Sequence, residues 1–252
     1  MALQDFEQSL QDLSALIELV RIGTIDSKKL RSIGVDVALI PAATSGVIVL
    51  VVGRFEEFLK EEAERALAQY SKANPPVSRS QLSLELQLAI VRANLTGATR
   101  ELVHGQRRPV SDRIRDLQAI ASRVVNDEIW GNDAIDTASN PGPETVKSIL
   151  KLLGLENPWD KIEANFIPNW ISRQGKTPGL KAIPSAKAEL ESVLGWRNTV
   201  AHSRSTLPIG PSELDTCIAF LRELAKSIDE VVRDITDQIV MAASSIPGNW
   251  PP

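Results

Sequence analysis

Apolar residues recur at helical spacing along almost the whole chain. Leu3, Phe6, Leu10, Leu13, Ile17 and Val20 fall three and four apart and predict one amphipathic helix, closed by Gly23. A second helix is expected from residues 41–44 to beyond 67. It is apolar on every side up to Val52 and amphipathic after that, so its first half should be buried and its second half-exposed. Valines 47, 49, 51 and 52 imitate a strand, but the helical pattern that follows without a break outweighs them. Asn74-Pro75-Pro76 stops the helix.

Further helices follow at short intervals. Ser78 or Ser80 caps the next, with Leu82, Leu86, Ile90 and Leu95 expected inward. Ser111 caps one to about Asn126, with Ile114, Leu117, Ile120 and Val124 on its stripe. A loop ends in the turn cluster TASNPGP, residues 137–143. Residues 143–153 form a short helix ended by Gly154, and another runs from Pro158 to about Trp170. A loop is expected over 173–184. Ser185 then starts a helix through 202, and Ser212 caps a long final helix to about Val240. No strand run and no internal repeat is evident. The pattern is all-α: an N-terminal helical extension (1–40), one helical domain (41–241) and a flexible tail (242–252).

Composition agrees with a folded protein, at 43% hydrophobic and 24% charged. Cys217 is the single cysteine, so no intrachain disulfide forms and a reducing, cytoplasmic setting is the simplest expectation. The 35–52 stretch is too interrupted to span a membrane. A net charge of −4 argues against non-specific coating of nucleic acid, though not against a local basic cleft. The chain lacks a Walker loop, a dinucleotide fingerprint, paired cysteines, His-x-x-x-His and GxSxG. What is left is metal-free acid–base chemistry without a cofactor, or plain binding.

The chain has two histidines, His104 and His202. His202 closes the segment GWRNTVAH (195–202), where Arg197 and Asn198 precede it. Histidine titrates near neutrality and can give or take a proton. Arginine is always charged and offers forked donors to phosphate. On a helix, Arg197 and His202 are about 140° apart, whereas Asn198 and His202 share a face. Arginine is long enough to swing to that face. The bland alternative is a pair of cations suiting a helix C-terminus.

This arginine–polar–histidine motif, at the end of the penultimate long helix, resembles the HEPN superfamily. Its flanks, SNPGPETVKSILKLLGLENPW (139–159) and FEEFLKE (55–61), resemble the RiboL-PSP-HEPN group, over roughly residues 43–240. The resemblance implies a HEPN-type helical bundle and a metal-independent endoribonuclease, often a toxin or phage-defence effector restrained by an antitoxin. It also implies Arg197 and His202 as the catalytic pair, Asn198 as the orienting residue, and a homodimer with a composite cleft. The alternative is a non-catalytic helical module for protein or nucleotide binding.

Weaker candidates surround the motif. His104 lies four after Arg100, and Arg107, Arg108, Arg113 and Arg115 form a basic cluster that could guide RNA. Glu56 and Glu57 could position Arg197. Lys176, Lys181, Arg173 and Arg204 flank the motif as possible RNA contacts. Each has a bland reading as a solvated face. The five tryptophans (130, 159, 170, 196 and 250) suit packing better than base stacking.

Overall fold

The computed structural model describes residues 2–25, 32, 34, 36, 39–103, 106–129, 140–177, 179–202 and 209–245. At 23–25, 102–103, 202 and 211 it gives the backbone alone. The described chain is overwhelmingly helical: α1 (Ala2–Asp12), α2 (Ser14–Ile25), α3 (Ile40–Lys72), α4 (Leu84–Thr99), α5 (Val110–Val125), α6 (Pro143–Leu152), α7 (Pro158–Lys176), α8 (Ala186–His202) and α9 (Pro211–Ser244). An antiparallel pair of two-residue strands, β1 (Leu102–Val103) and β2 (Gln106–Arg107), lies between α4 and α5 in sequence. Such a short pairing leaves no alternating pattern to read. No described helix is long and apolar enough to cross a membrane.

The chain divides into two compact units. The first comprises Met1–Leu59, Ala138–Lys147 and Asn157–Val231; the second comprises Lys60–Thr137, Ser148–Glu156 and Val232–Pro252. In the first unit, Phe6 of α1 packs against Phe55 and Phe58 of α3, with ring centroids 6.2 and 5.5 Å away. The predicted amphipathic N-terminal face is therefore part of a core. It breaks at Leu13 into two helices. Phe166 stacks on Trp170 at 5.7 Å and meets Phe220 of α9 edge-on at 5.6 Å. Trp159 and Trp170 are buried, their indole N–H groups donating to the carbonyls of Pro143 (3.1 Å) and Lys181 (3.2 Å). Packing is the role expected for them; Trp130 and Trp250 lie outside the described residues.

In the second unit α4 packs on α5. Ser83, not Ser80, caps α4, its Oγ accepting from the Leu86 N–H at 3.2 Å, while Ser78 precedes a separate 3-10 turn, Arg79–Gln81. Leu86 and Ile90 are buried as expected. Leu95 is not, because five positions past Ile90 it has rotated about 140° away. Ile114 is exposed on α5 for the same reason: it lies about 120° from buried Ile120.

Three more boundaries differ from expectation. α5 starts at Val110, after Pro109, so Ser111 lies inside it. Helix α7 continues to Lys176, through residues expected as loop, because Arg173 is held by Glu223 of α9 at 3.3 Å and Gln174 donates to the Leu180 carbonyl at 3.2 Å. Helix α9 runs to Ser244, past Val240. On α3, Val47, Ile48, Val51 and Val52 are buried, but Leu50 is exposed, so its first half is not enclosed on every side.

Candidate functional site

The motif lies at the end of α8. Ser185 starts this helix as predicted: its Oγ accepts from the Ala188 N–H at 3.2 Å and donates to Glu163 of α7 at 2.8 Å. Ala186, Leu190, Val193 and Leu194 form the buried face. That face then stops. From Gly195 to Ala201 no residue is buried: Trp196, Arg197 and Val200 are half-buried, and Gly195, Asn198, Thr199 and Ala201 are exposed. The helix thus runs two turns, about 12 Å, beyond its last fully buried residue, Leu194, before ending at His202.

On these turns the Arg197 guanidinium donates through Nη1 to Asn198 Oδ1 at 3.1 Å. The bond sets the guanidinium beside the Asn198 amide. Position 202 is one turn further on that side, about 40° away, whereas from the Arg197 backbone it is about 140° away. Thr199 Oγ1 donates back to the Gly195 carbonyl at 2.8 Å, tying the exposed turn to the one before it. At the C-terminus the last carbonyls have no helical partners, and the negative end of the macrodipole favours cations. A guanidinium beside this end is the side-chain type that recognises a phosphate oxygen. The His202 side chain lies outside the described residues, as do His104 and Arg204.

The other candidates are more dispersed. Glu57 on α3 pairs with Arg54 at 2.6 Å, and Glu56 is half-buried beside it. Lys176 and Lys181 are exposed, the first at the end of α7, the second with its backbone N–H on Thr216 Oγ1 at 3.5 Å. In the second unit Arg108 folds onto Asp116 and donates to the Gly97 carbonyl at 3.0 Å. Arg113 pairs with Glu101 at 3.6 Å and Arg115 with Asp112 at 3.1 Å. The basic cluster is therefore largely neutralised by its own neighbours, and Arg107, exposed on β2, is the member with no ion pair among the described residues.

One feature of the first unit had no sequence signal. A cleft of about 320 Å³ is lined by Arg21, Arg173, Arg222 and Asp215, with Leu10 and Ile17 among its apolar walls. Arg21 clasps Asp215 at 2.6 Å across 194 positions of sequence, a separation no local pattern reveals. Among the described residues, His, Cys, Asp and Glu side chains do not gather in threes as a metal site.

The family model of RiboL-PSP-HEPN proteins matches residues 5–234. The match takes in α1 and α2, which the resemblance read from the motifs had left outside. No curated protein and no solved structure matches the chain. With a helical architecture, the motif at the end of its penultimate helix and a family match over nearly the whole length, the chain belongs to the RiboL-PSP-HEPN family of the HEPN superfamily.

Proposed function

We propose that the protein is a metal-independent endoribonuclease, a toxin or phage-defence effector of the cytoplasm, acting as a homodimer whose two α8 ends form one composite cleft. The observation that carries this reading is the hydrogen-bonded Arg197–Asn198 pair on the last two turns of α8, which hold no fully buried residue. Family membership supports it, since HEPN proteins are often ribonucleases.

The chemistry follows from the residue types. The 2′-hydroxyl of RNA attacks the adjacent phosphorus, and the P–O5′ bond breaks as the P–O2′ bond forms. A base takes the hydroxyl proton and an acid delivers one to the departing 5′-oxygen. His202 fills either role, and two subunits supply both. Arg197 steadies the crowded phosphate, where charge accumulates, and Asn198 keeps the guanidinium turned toward the histidine's side. Lys176, Lys181, Arg204 and Arg107 are candidates for holding the RNA strand; Arg108 is committed to Asp116. Glu56, Glu57 and His104 stay as supporting candidates. A cognate antitoxin protein would keep the site silent in the host.

The test is a pair of assays. Expression of wild type is expected to arrest host growth, and His202→Ala to relieve it. In vitro, wild type cuts generic RNA equally with and without EDTA, while His202→Ala loses about 10²–10⁴-fold in rate. RNA left intact by the wild type would leave a non-catalytic module for protein or nucleotide binding.

A further inference from the structure

The outer face of α4 is apolar where a solvated helix would be polar. Leu84 and Leu88 are 64% and 60% exposed, and Leu95 is 39% exposed. With half-buried Val91 they follow one another at steps of four, three and four, the heptad spacing by which one helix seats against another. Leu86 and Ile90, on the opposite side, are buried within their own unit, while buried Ala98 lies about 20° from Val91 and marks the C-terminal limit of the outer stripe. The helix therefore has two apolar faces and its own unit uses one of them. Arg92, Thr96 and Thr99 border the outer stripe and make it a shallow groove.

The stripe is self-complementary. A two-fold axis passing between Ala89 and Ile90 sets Leu84 against Leu95 of a second, antiparallel copy, and Leu88 against its Val91. The charges obey the same symmetry. Glu85 and Arg92 each stand one position after a stripe residue, on the same flank. In an antiparallel pair that flank of one helix runs along the same flank of its mate, so Glu85 of each copy meets Arg92 of the other. Both side chains are exposed, and among the described residues neither has an ion-pair partner within its own chain. An unrelated partner would require neither the palindromic spacing nor opposite charges on one flank.

We propose that α4 is a homotypic docking surface, through which two copies of this chain pair antiparallel on Leu84, Leu88, Val91 and Leu95, with Glu85 and Arg92 setting the register. It is a different surface from the α8 ends and does not rest on the catalytic reading. The test is the molar mass of the full chain by light scattering across a dilution series. Leu88→Glu, with helix content checked by circular dichroism, halves the mass of whatever assembly the wild type forms. Glu85→Arg and Arg92→Glu each weaken association by setting like charges together. Mixed with one another the two variants pair again, because each supplies the charge the other has lost, and the chain carrying both swaps associates like wild type. Wild type with the mass of Leu88→Glu at every concentration overturns the proposal, as do single swaps without effect or mixed variants that fail to pair. A wild type that is monomeric yet holds another protein, released by Leu88→Glu, makes the face heterotypic and overturns it as well.

Discussion

Asn198 shows how much one side chain can change at a helix end. The Arg197 backbone position lies about 140° around the helix from position 202 and that of Asn198 about 40°, and the Asn198 amide oxygen holds the Arg197 Nη1 at 3.1 Å. Asn198→Ala is therefore expected to lower RNA cleavage about 10²-fold through misplacement of the guanidinium. Because the residue is exposed, stability should change by no more than about 0.5 kcal/mol. Initial rates beside a thermal melt check this; an unchanged rate would show that the amide has no positioning role. The sequence disclosed the residue types and the four-position spacing, but not the hydrogen bond, which depends on a rotamer. It was also silent on the buried carboxylates Glu62, Glu189, Glu223 and Asp229, which read as ordinary solvated faces until their helices are packed.

Two buried titratable groups give a pH prediction. Burial pushes the Cys217 thiol from 9.0 up to about 12, with the Glu189 charge adding to it, and burial likewise pushes the Tyr70 phenol from 10.0 to about 12. The folded chain thus holds protons that the unfolded chain releases. Their stabilisation is complete below about pH 9 and is lost as pH rises toward 12, by an amount on the order of a few kcal/mol. Urea unfolding at pH 7 and pH 11 should show a steep loss for wild type and a smaller one for Cys217→Ala combined with Tyr70→Phe. Equal losses would contradict the assignment of the alkaline transition to these groups.

At the scale of elements, the long helices were the most legible. α3, α8 and α9 have apolar periodicity over many turns, and Ser185 begins α8 where its hydroxyl suggested. The end of α6 was equally plain. Gly154 adopts φ +100°, its N–H donates to the Lys151 carbonyl at 2.9 Å, and the Leu155 N–H reaches the Leu150 carbonyl at 3.0 Å. Gly154→Ala is expected to cost about 1–2 kcal/mol from backbone strain alone, since its new methyl would meet Ile235 and Ile239 at an ordinary 3.7 Å. Chemical denaturation measures it, and a neutral result would mean that the turn relaxes. The end of α7 was illegible because tertiary ties to Glu223 and Leu180, not local propensity, carry it past Trp170. Leu95 was misplaced because the stripe was extended across a five-residue step, and Ile114 because two successive steps of three carry the face about 120° around the helix.

For the whole molecule, the all-helical class and the family were both legible, since period and motif survive without coordinates. The two-unit division was not. Each unit is assembled from separated stretches of sequence, and α3 and α9 each contribute to both without a break in pattern. The N-terminal segment packs within the first unit. Phe6 is buried between Phe55 and Phe58, Glu7 meets Lys226 at 3.5 Å, and the family match begins at residue 5. Phe6→Ala should therefore cost about 3–5 kcal/mol, while Asp215→Asn, which breaks the half-exposed pair with Arg21, should cost about 0–1 kcal/mol. Comparable losses for the two would contradict a core role for α1.

The proposed activity of the α8 end is RNA cleavage by internal attack of the 2′-hydroxyl. The most direct measurement is the chemistry of the fragment ends, read by mass spectrometry after purified wild type acts on a synthetic RNA. Internal attack leaves a 2′,3′-cyclic phosphate on one fragment and a free 5′-hydroxyl on the other, both expected to be absent with His202→Ala. A 5′-phosphate on the product, or the same fragments from His202→Ala, would contradict it.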